Sequence, residues 1–396
     1  MKLTKKQEAE IQGMHDNTDK IKAENRKLKA AVEKNTLELE SKNHELEIET
    51  ALEKVRAIAL SMKEPADMPD VCRVIAKGLK KLGVEEIRNV QTAIFYEDAG
   101  TYMNYEYYAK HDKTFITQTS YTNHKIHRAF ANQMLKGKEG FIKTHIPKAK
   151  LPGWIAYQKT TNVFIDSNLK KASSLTYYWY SLGPVALGIS TYKPLNEEDI
   201  ELFKRFRNVF ELAYRRFLDI ELAITQAKEA RIETALERVR AVAMAMRKPE
   251  ELSGIGEKLF TELKALEFTY LRNTEILINN DANETVTSYY YSDYGITGNI
   301  EIDYKLNPTV QGWINDLKKA DDAFAEVIIP ENKMKAWRKY RKGIGYLPDP
   351  KLNKAKTVCY YSYSIGLGAL SISSFKPVSA DQIKILERFR NVFNLS

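Results

Sequence analysis

Residues 1–62 carry apolar side chains at regular intervals between charged ones. The intervals of seven are typical of a coiled-coil seam, and no proline occurs before Pro65. The pattern therefore predicts a single long helix over this segment. The two apolar rows of the predicted seam are Ile21 with Leu28, and Val32 with Leu39 and Leu46.

The apolar spacing changes phase after Leu46, and the new spacing of four and three residues also occurs later in the chain. Such a change alters a supercoil locally, so we expect a conformational switch point at this position. A stretch without glycine or proline over residues 197–247 predicts a second long helix. The matching positions are Ile48, Leu52, Val55, Ala59 and Met62 in the first helix, and Ile232, Leu236, Val239, Ala243 and Met246 in the second.

Two sequence motifs show that the chain is a duplication. The segment 48–57 returns 184 residues later with one substitution, and Arg205–Phe210 returns unchanged 183 residues later as Arg388–Phe393. A solenoid has a period of roughly 20–50 residues, so this spacing indicates two copies of a whole domain. The second copy of the helix is cut short at Ser396, and we expect the chain to be a fragment of a longer protein.

Alternating β-rich runs lie between the helices in each copy, separated by turn residues such as Asp98 and Gly100. They predict an α+β fold in which an antiparallel sheet of about five or six strands packs against helices. The predicted organisation is an N-terminal coiled-coil helix at 1–62, a domain at 63–196, a linker helix at 197–247 and a second domain at 248–396.

Composition excludes several classes of protein. Cys72 and Cys359 are the only cysteines and occupy non-equivalent positions, so a disulfide framework is disfavoured. No apolar run approaches the ~18 residues of a membrane span, and the N-terminus does not resemble a signal peptide. We therefore expect a cytoplasmic protein with no membrane partner.

The net charge of +9 is concentrated in one equivalent segment of each copy. Residues 147–171 carry +4 and residues 330–356 carry +7. One interpretation is an anionic ligand at this segment, and the other, which we favour, is a solvated helix and loop. Nucleic-acid binding is disfavoured because neither segment matches a known binding motif.

The motif Ala-Leu-Glu-Arg-Val-Arg-Ala-x-Ala-Met-Ala-Met at 235–246 resembles the linker helix of bacterial sensor proteins with tandem GAF-like domains, common in Bacteroidetes. The resemblance extends over about residues 48–396. It implies two tandem GAF-like domains on long coiled-coil helices. In such proteins the domains usually precede a histidine kinase of a two-component system, a cyclase or a DNA-binding output domain.

No catalytic or metal-binding constellation repeats in the two copies. His44-Glu45-Leu46 resembles a kinase phosphoacceptor motif but lacks its continuation, and we interpret His44 as a solvated helix residue. His124 and His127 have a spacing that could hold a metal, but we favour surface histidines. We therefore predict no enzyme activity, no catalytic residue and no metal site, and the sequence identifies no cofactor.

Aromatic residues do repeat, and Tyr and Trp suit a concave pocket because each combines apolar area with one polar tip. We predict a pocket over each sheet for a small anionic or aromatic ligand. The predicted ligand-binding residues are Tyr105, Tyr107, Trp154, Tyr157, Tyr178 and Tyr180 in the first copy, and Tyr289, Tyr291, Trp337, Tyr340, Tyr361 and Tyr363 in the second.

Together these features predict a ligand-sensing and signal-transmitting module. It would form a parallel homodimer through its helices and pass a conformational change to a C-terminal output domain. The alternative is a non-catalytic dimerisation scaffold that binds no small molecule.

Overall fold

The computed structural model describes residues 5–393, with side chains described from Lys20 onward. The chain divides into two compact units, residues 1–223 and 224–396. Each unit contains one six-stranded antiparallel sheet and several helices, so the predicted α+β class is confirmed.

The first unit begins with a 57-residue helix and contains all six strands of the first sheet. Its elements are α1 (Lys5–Ser61), α2 (Met68–Lys81), β1 (Ile87–Tyr96), β2 (Thr101–Tyr108), β3 (Lys113–Ser120), α3 (Lys125–Met134), β4 (Phe141–Pro147), α4 (Leu151–Gln158), β5 (Ser174–Ser181), β6 (Val185–Thr191) and the start of α5 (Glu197–Ala245).

The second unit repeats this order, beginning with the later part of α5. Its further elements are α6 (Leu252–Ala265), β7 (Leu271–Asn280), β8 (Thr285–Ser292), β9 (Thr297–Asp303), α7 (Pro308–Leu317), β10 (Phe324–Ile329), α8 (Met334–Gly343), α9 (Pro350–Lys354), β11 (Val358–Ser364), β12 (Gly368–Ser374) and α10 (Ala380–Phe393).

The strand order is β3-β2-β1-β6-β5-β4 in the first sheet, and the equivalent strands of the second sheet are arranged in the same way. The first and last strands of the sequence order, β1 and β6, pair at the centre. Both faces of these central strands are buried, because each face is covered by a separate apolar cluster. We call these the helix-side face, which packs against α1, α2 and α5, and the cavity-side face, which packs against α3 and α4.

The phase change in the first helix coincides with the start of its contact with the domain. Val32, Leu39 and Leu46 are 60–65% exposed, whereas Ile48 and Leu52 are buried in the helix-side core. The second apolar rhythm therefore reflects packing against the sheet domain, and the same is true of Ile232 in the second unit.

The repeated Arg-Phe-Arg-Asn-Val-Phe motif joins helix to helix and helix to sheet. Arg205 binds Glu45 and Glu49 of α1, and Arg388 binds Glu229 and Glu233 in the same way. Both first phenylalanines of the motif are buried in the helix-side cores. The second arginines bind the end of a strand: Arg207 donates to the carbonyl of Ser181, and Arg390 to that of Ser364.

A tryptophan of the cavity-side face depends on a glycine of the adjacent strand. Trp179 and Gly188 are directly paired between β5 and β6, and the equivalent pair in the second sheet is Ser362 and Ser371. A Cβ atom at Gly188 would lie 2.4 Å from Trp179 Cε3, which is too close for any side chain. Glycine at this position therefore makes room for the indole.

We predict that Gly188→Ala destabilises the first domain by about 1–3 kcal/mol, because the added methyl group overpacks the core. Urea unfolding followed by tryptophan fluorescence measures this change. The control is Gly153→Ala in α4, where a Cβ atom would have no neighbour within 4 Å among the described residues. Equal stability of the two variants would contradict the assigned role of Gly188.

Candidate functional site

A cavity of about 50 Å³ lies on the cavity-side face of the first sheet. This volume is enough for a few water molecules, since one water needs about 10–15 Å³. Strands β1, β2 and β5 form its floor, and α3, α4 and the loop after α4 enclose it. Its walls combine aromatic rings with amides, a carboxyl group and a guanidinium group.

The aromatic wall is built by α4 on β5. Trp154 Nε1 donates a hydrogen bond of 3.1 Å to Tyr177 Oη, and Gln158 Nε2 lies 3.3 Å from the same oxygen. Residues 154 and 158 share one face of the helix because they are four apart. One tyrosine hydroxyl therefore positions both side chains at the cavity.

A buried carboxyl group lies on the floor of the cavity. Glu106 Oε1 accepts hydrogen bonds from Asn89 Nδ2 at 3.0 Å and from Tyr108 Oη at 2.9 Å. Burial raises the pKa of Glu106 to about 7, although Arg88 and the Tyr108 hydroxyl act in the opposite direction. The carboxyl group therefore changes charge near neutral pH.

Four polar atoms of the cavity lining have no hydrogen-bond partner among the described residues. Buried polar groups are normally paired, and leaving one unpaired costs about 1–3 kcal/mol. These atoms would be satisfied by water or by a ligand in the cavity. They are Gln91 Nε2, Asn104 Oδ1, Glu106 Oε2 and Gln158 Oε1.

A buried ion pair anchors the loop that closes the cavity. Arg88 Nε donates to Asp166 Oδ2 at 2.8 Å, and both side chains are at most 1% exposed. Asp166 also accepts hydrogen bonds from the Leu169 amide and the Tyr192 hydroxyl. Burial opposes the charge of Asp166, but Arg88 and these hydrogen bonds lower its pKa below the usual value.

The prediction that both histidines of the 124–127 pair lie at the surface is wrong for His127. It is 9% exposed and lines the cavity, because it is on the side of α3 that faces the sheet. Burial lowers its pKa to about 4, so the imidazole is neutral at pH 7. His124 caps α3 by accepting from the Ile126 amide, and it stacks on Tyr157.

The predicted aromatic residues are divided between the two faces of each sheet. In the first unit Trp154 lines the cavity, and Tyr157 lies beside it, with its hydroxyl 3.3 Å from His127 Nδ1. Trp337 and Tyr340 hold the equivalent positions in the second unit. The other eight belong to the helix-side cores and not to the cavity: Tyr105, Tyr107, Tyr178, Tyr180, Tyr289, Tyr291, Tyr361 and Tyr363.

Sequence reasoning missed most of the polar residues that line the cavity. Gln91, Asn104 and Glu106 interrupt otherwise buried, largely apolar or aromatic strands. A polar side chain at such a position is a signal of a polar site, and this signal was present in the sequence.

The second domain keeps the ion pair but has a much smaller cavity, of about 10 Å³. Arg272 Nε donates to Asp349 Oδ2 at 2.7 Å, matching the pair in the first domain. Arg341 occupies the position of Gln158, and its guanidinium lies 3.5 Å from the centroid of the Tyr346 ring. Burial opposes its charge, but surrounding groups that include Glu275 and Asp349 raise the pKa of Arg341 above the usual value.

Both basic segments supply lining residues to these cavities, including Arg341 in the second, but their lysines are absent from both linings as the structure describes them. Lysine is absent from the first cavity's lining among the described residues, and the five lysines of segment 147–171 are exposed. Within residues 5–393 no group of three or more His, Cys, Asp or Glu side chains is arranged to hold a metal ion. The helices in this range also lack an apolar stretch long enough to cross a membrane.

Comparison with known proteins finds distant structural similarity. No protein-family model matches the chain, and no curated protein matches it. The crystal structure of bacteriophytochrome RpBphP3 from the photosynthetic bacterium R. palustris is similar over 82% of this chain and 62% of that chain, with 9% sequence identity and a TM-score of 0.34. The chain thus spans less than two thirds of that protein, and so low a score supports no functional argument.

We predict that Glu106→Gln stabilises the first domain at alkaline pH. The folded pKa of about 7 lies above the ordinary value of 4.5, so stability from the protonated acid is fully present below pH 4.5 and lost as pH rises through 7. Glutamine stays neutral throughout. The variant should therefore match the wild type near pH 4.5 and exceed it by about 3 kcal/mol above pH 7.

Hydrogen exchange of the β1 and β2 amides measures this difference in the first domain alone. The control is Glu97→Gln in the exposed turn after β1, which should give no pH-dependent gain. A constant difference between the Glu106 variant and the wild type across pH 4.5–8 would contradict the assigned titration.

Proposed function

We propose that this chain is a ligand-sensing and signal-transmitting module with two GAF-like domains on coiled-coil helices. The first domain binds a small polar ligand with a planar or aromatic group. The observation that carries the proposal is the cavity with four unpartnered polar atoms beside Trp154, Trp179 and Tyr177. Such a combination of ring faces and a few polar groups is typical of small-molecule sites.

The architecture also supports the GAF-like assignment. In each unit long flanking helices cover one face of an antiparallel sheet, and short helices cover the other face above the cavity. This arrangement agrees with the fold that the linker motif implies. We also propose that the module acts in the cytoplasm and passes its signal to a C-terminal output domain.

A chain of hydrogen bonds connects the cavity with the long helix. The Ser181 hydroxyl contacts the carbonyls of Met134 and Gly137, at the end of α3, whose His127 and Phe130 line the cavity. Arg207 of α5 donates to the Ser181 carbonyl at 3.0 Å. A ligand that moves α3 would therefore act on α5 through Ser181, provided that it binds two conformations with different affinity.

The scaffold alternative has one specific observation in its favour, which is the filled cavity of the second domain. A domain without space for a ligand can still contribute to dimerisation. The cavity of the first domain distinguishes the two functions, because a scaffold role does not require a polar cavity.

We predict that a metabolite and nucleotide panel contains a compound that raises the melting temperature of the full chain. Binding at 100 times the dissociation constant adds about 2.7 kcal/mol. Hydrogen exchange should then change in α3 and in α5 near Arg207. In Arg207→Gln the ligand should still bind, but the change in α5 should be lost.

The control for the coupling test is Arg215→Gln on the same helix, which removes only an exposed pair with Glu211. Binding without any change in α5 of the wild type would contradict transmission. If no compound binds the first domain, the scaffold alternative is favoured.

The proposed homodimer rests on the exposed apolar rows of α1. Ile21, Leu28, Val32, Leu39 and Leu46 are 53–65% exposed although they are spaced as a heptad seam. A second parallel copy of the helix would bury these rows.

We predict that Val32→Lys with Leu39→Lys converts a dimer into a monomer, because two buried seam layers become charged. Size-exclusion chromatography with light scattering measures the mass. Glu33→Lys with Glu40→Lys changes the charge more but lies outside the seam, and this variant should remain dimeric. A monomeric wild type would refute the proposed dimer.

A further inference from the structure

The two cavities differ at matched positions, and at three of these positions the second domain has the larger side chain. The loop after α4 and the loop after α8 have the same length up to their equivalent aspartates, Asp166 and Asp349. Their residues can therefore be matched one to one. Three lining residues of the first domain have larger counterparts in the second: Gln158 corresponds to Arg341, Val163 to Tyr346, and Glu106 to Tyr290.

Arg341 lines the small cavity of the second domain at the position that Gln158 holds in the first. Its helix is anchored as in the first domain, because Trp337 Nε1 donates to Tyr360 Oη at 2.9 Å. The guanidinium lies over the Tyr346 ring, and Arg341, Tyr346 and Asp349 line the same small cavity. The counterparts of Tyr346, Tyr360 and Glu275 line the first cavity.

One residue with an unpartnered atom in the first domain has a partnered counterpart in the second. Asn104 corresponds to Ser288, whose hydroxyl lies 3.2 Å from the Tyr346 hydroxyl. Gln91 corresponds to Glu275, and each of these side chains accepts a hydrogen bond from the asparagine two residues earlier, Asn89 or Asn273. The second domain thus resembles the first with an occupant built into it.

Both sheets have one carboxylate in the strand pair on the floor of the cavity, but only the second domain has an arginine at the position of Arg341. Gln91 and Glu106 are directly paired across β1 and β2, and Glu275 and Tyr290 are the equivalent pair. Each pair contains one carboxylate. In the second domain the charge of Glu275 is among those that raise the pKa of the buried Arg341, whereas in the first domain the position of that arginine is held by the uncharged Gln158.

The arginine of the ion pair, which both domains have, does not exclude a second cation from the cavity. Arg272, the counterpart of Arg88, lines the same small cavity as Arg341. Two guanidinium groups therefore fit in this site when Asp349 and Glu275 are present. Asp166 and Glu106 provide the same two carboxyl groups in the first domain.

We propose that the Arg341 guanidinium is a built-in occupant of the second domain, and that the first domain takes a small planar cation from solution in its place. The ligand class is a guanidinium, an amidinium or a protonated aminoheterocycle. Its N–H groups would donate to Glu106, Asn104 and Gln158, and its plane would lie among the aromatic rings. This inference rests on the proposed ligand-binding function of the first domain.

The first test compares cations with neutral molecules of the same shape. Calorimetry on the full chain uses methylguanidinium against methylurea, and benzamidinium against benzamide, at matched ionic strength. Binding of the cations only is the expected result, with affinity reduced at least tenfold in Glu106→Gln. Gln158→Arg should raise the melting temperature and abolish binding, since it supplies the cation internally.

The second test examines the built-in occupant independently of any natural ligand. Arg341→Gln should lower the melting temperature of the second domain, and methylguanidinium should restore part of the loss while methylurea does not. Lys342→Gln, an exposed neighbour on the same helix, should have little effect. Equal restoration by both compounds, or by neither, would overturn the built-in occupant.

The outcomes separate this inference from the proposed function. One alternative outcome is that a neutral or anionic compound binds the first domain and loses this binding in Gln158→Arg. That result overturns the cation assignment but leaves the sensor function in place. If neither the probes nor the wider panel bind, and the cavity holds ordered water only, the proposed function fails together with the ligand class.

Discussion

The buried arginine–aspartate pair is the interaction on which each domain's cavity depends. Arg88 with Asp166, and Arg272 with Asp349, tie a central strand to the loop that closes the cavity. In both domains the aspartate also accepts a backbone amide three residues later, which shapes that loop. Removing one partner would leave a buried charge uncompensated, at a typical cost of 3–5 kcal/mol. The pair therefore maintains a lined space beside the sheet whether the occupant is a side chain or another molecule.

Each sheet separates two tasks because its central strands are buried on both faces. The helix-side face holds the aromatic core that packs on the long helices, and the Arg-Phe-Arg motif connects these helices to each other and to the sheet. The cavity-side face holds the polar groups. Ser181 is in contact with elements of both sides, so a change on one face has a short physical route to the other.

Much of the fold could be predicted from the sequence, because periodicity and repetition report on local structure directly. The helices, the antiparallel sheets and the duplication follow from such patterns. The sequence is a weaker guide to the face of the sheet on which a side chain lies, since successive side chains of a strand point to opposite faces. The predicted Tyr105 and Tyr107 lie on the helix side, whereas the intervening Glu106 reaches the cavity. A shift of one residue therefore separates a core from a site.

The features that the two copies share follow from the sequence alone: the helix motifs, the succession of strand segments between them and the positions of Trp154 and Trp337. Comparison of the two copies selects shared residues as candidates for a binding site and misses residues that differ between the copies. Only the tertiary structure showed that Gln158 and Arg341 line cavities, and that the first cavity measures about 50 Å³ and the second about 10 Å³. The physical reason is that a cavity is the space left between elements distant in the chain, and its volume depends on side chains that no local pattern relates.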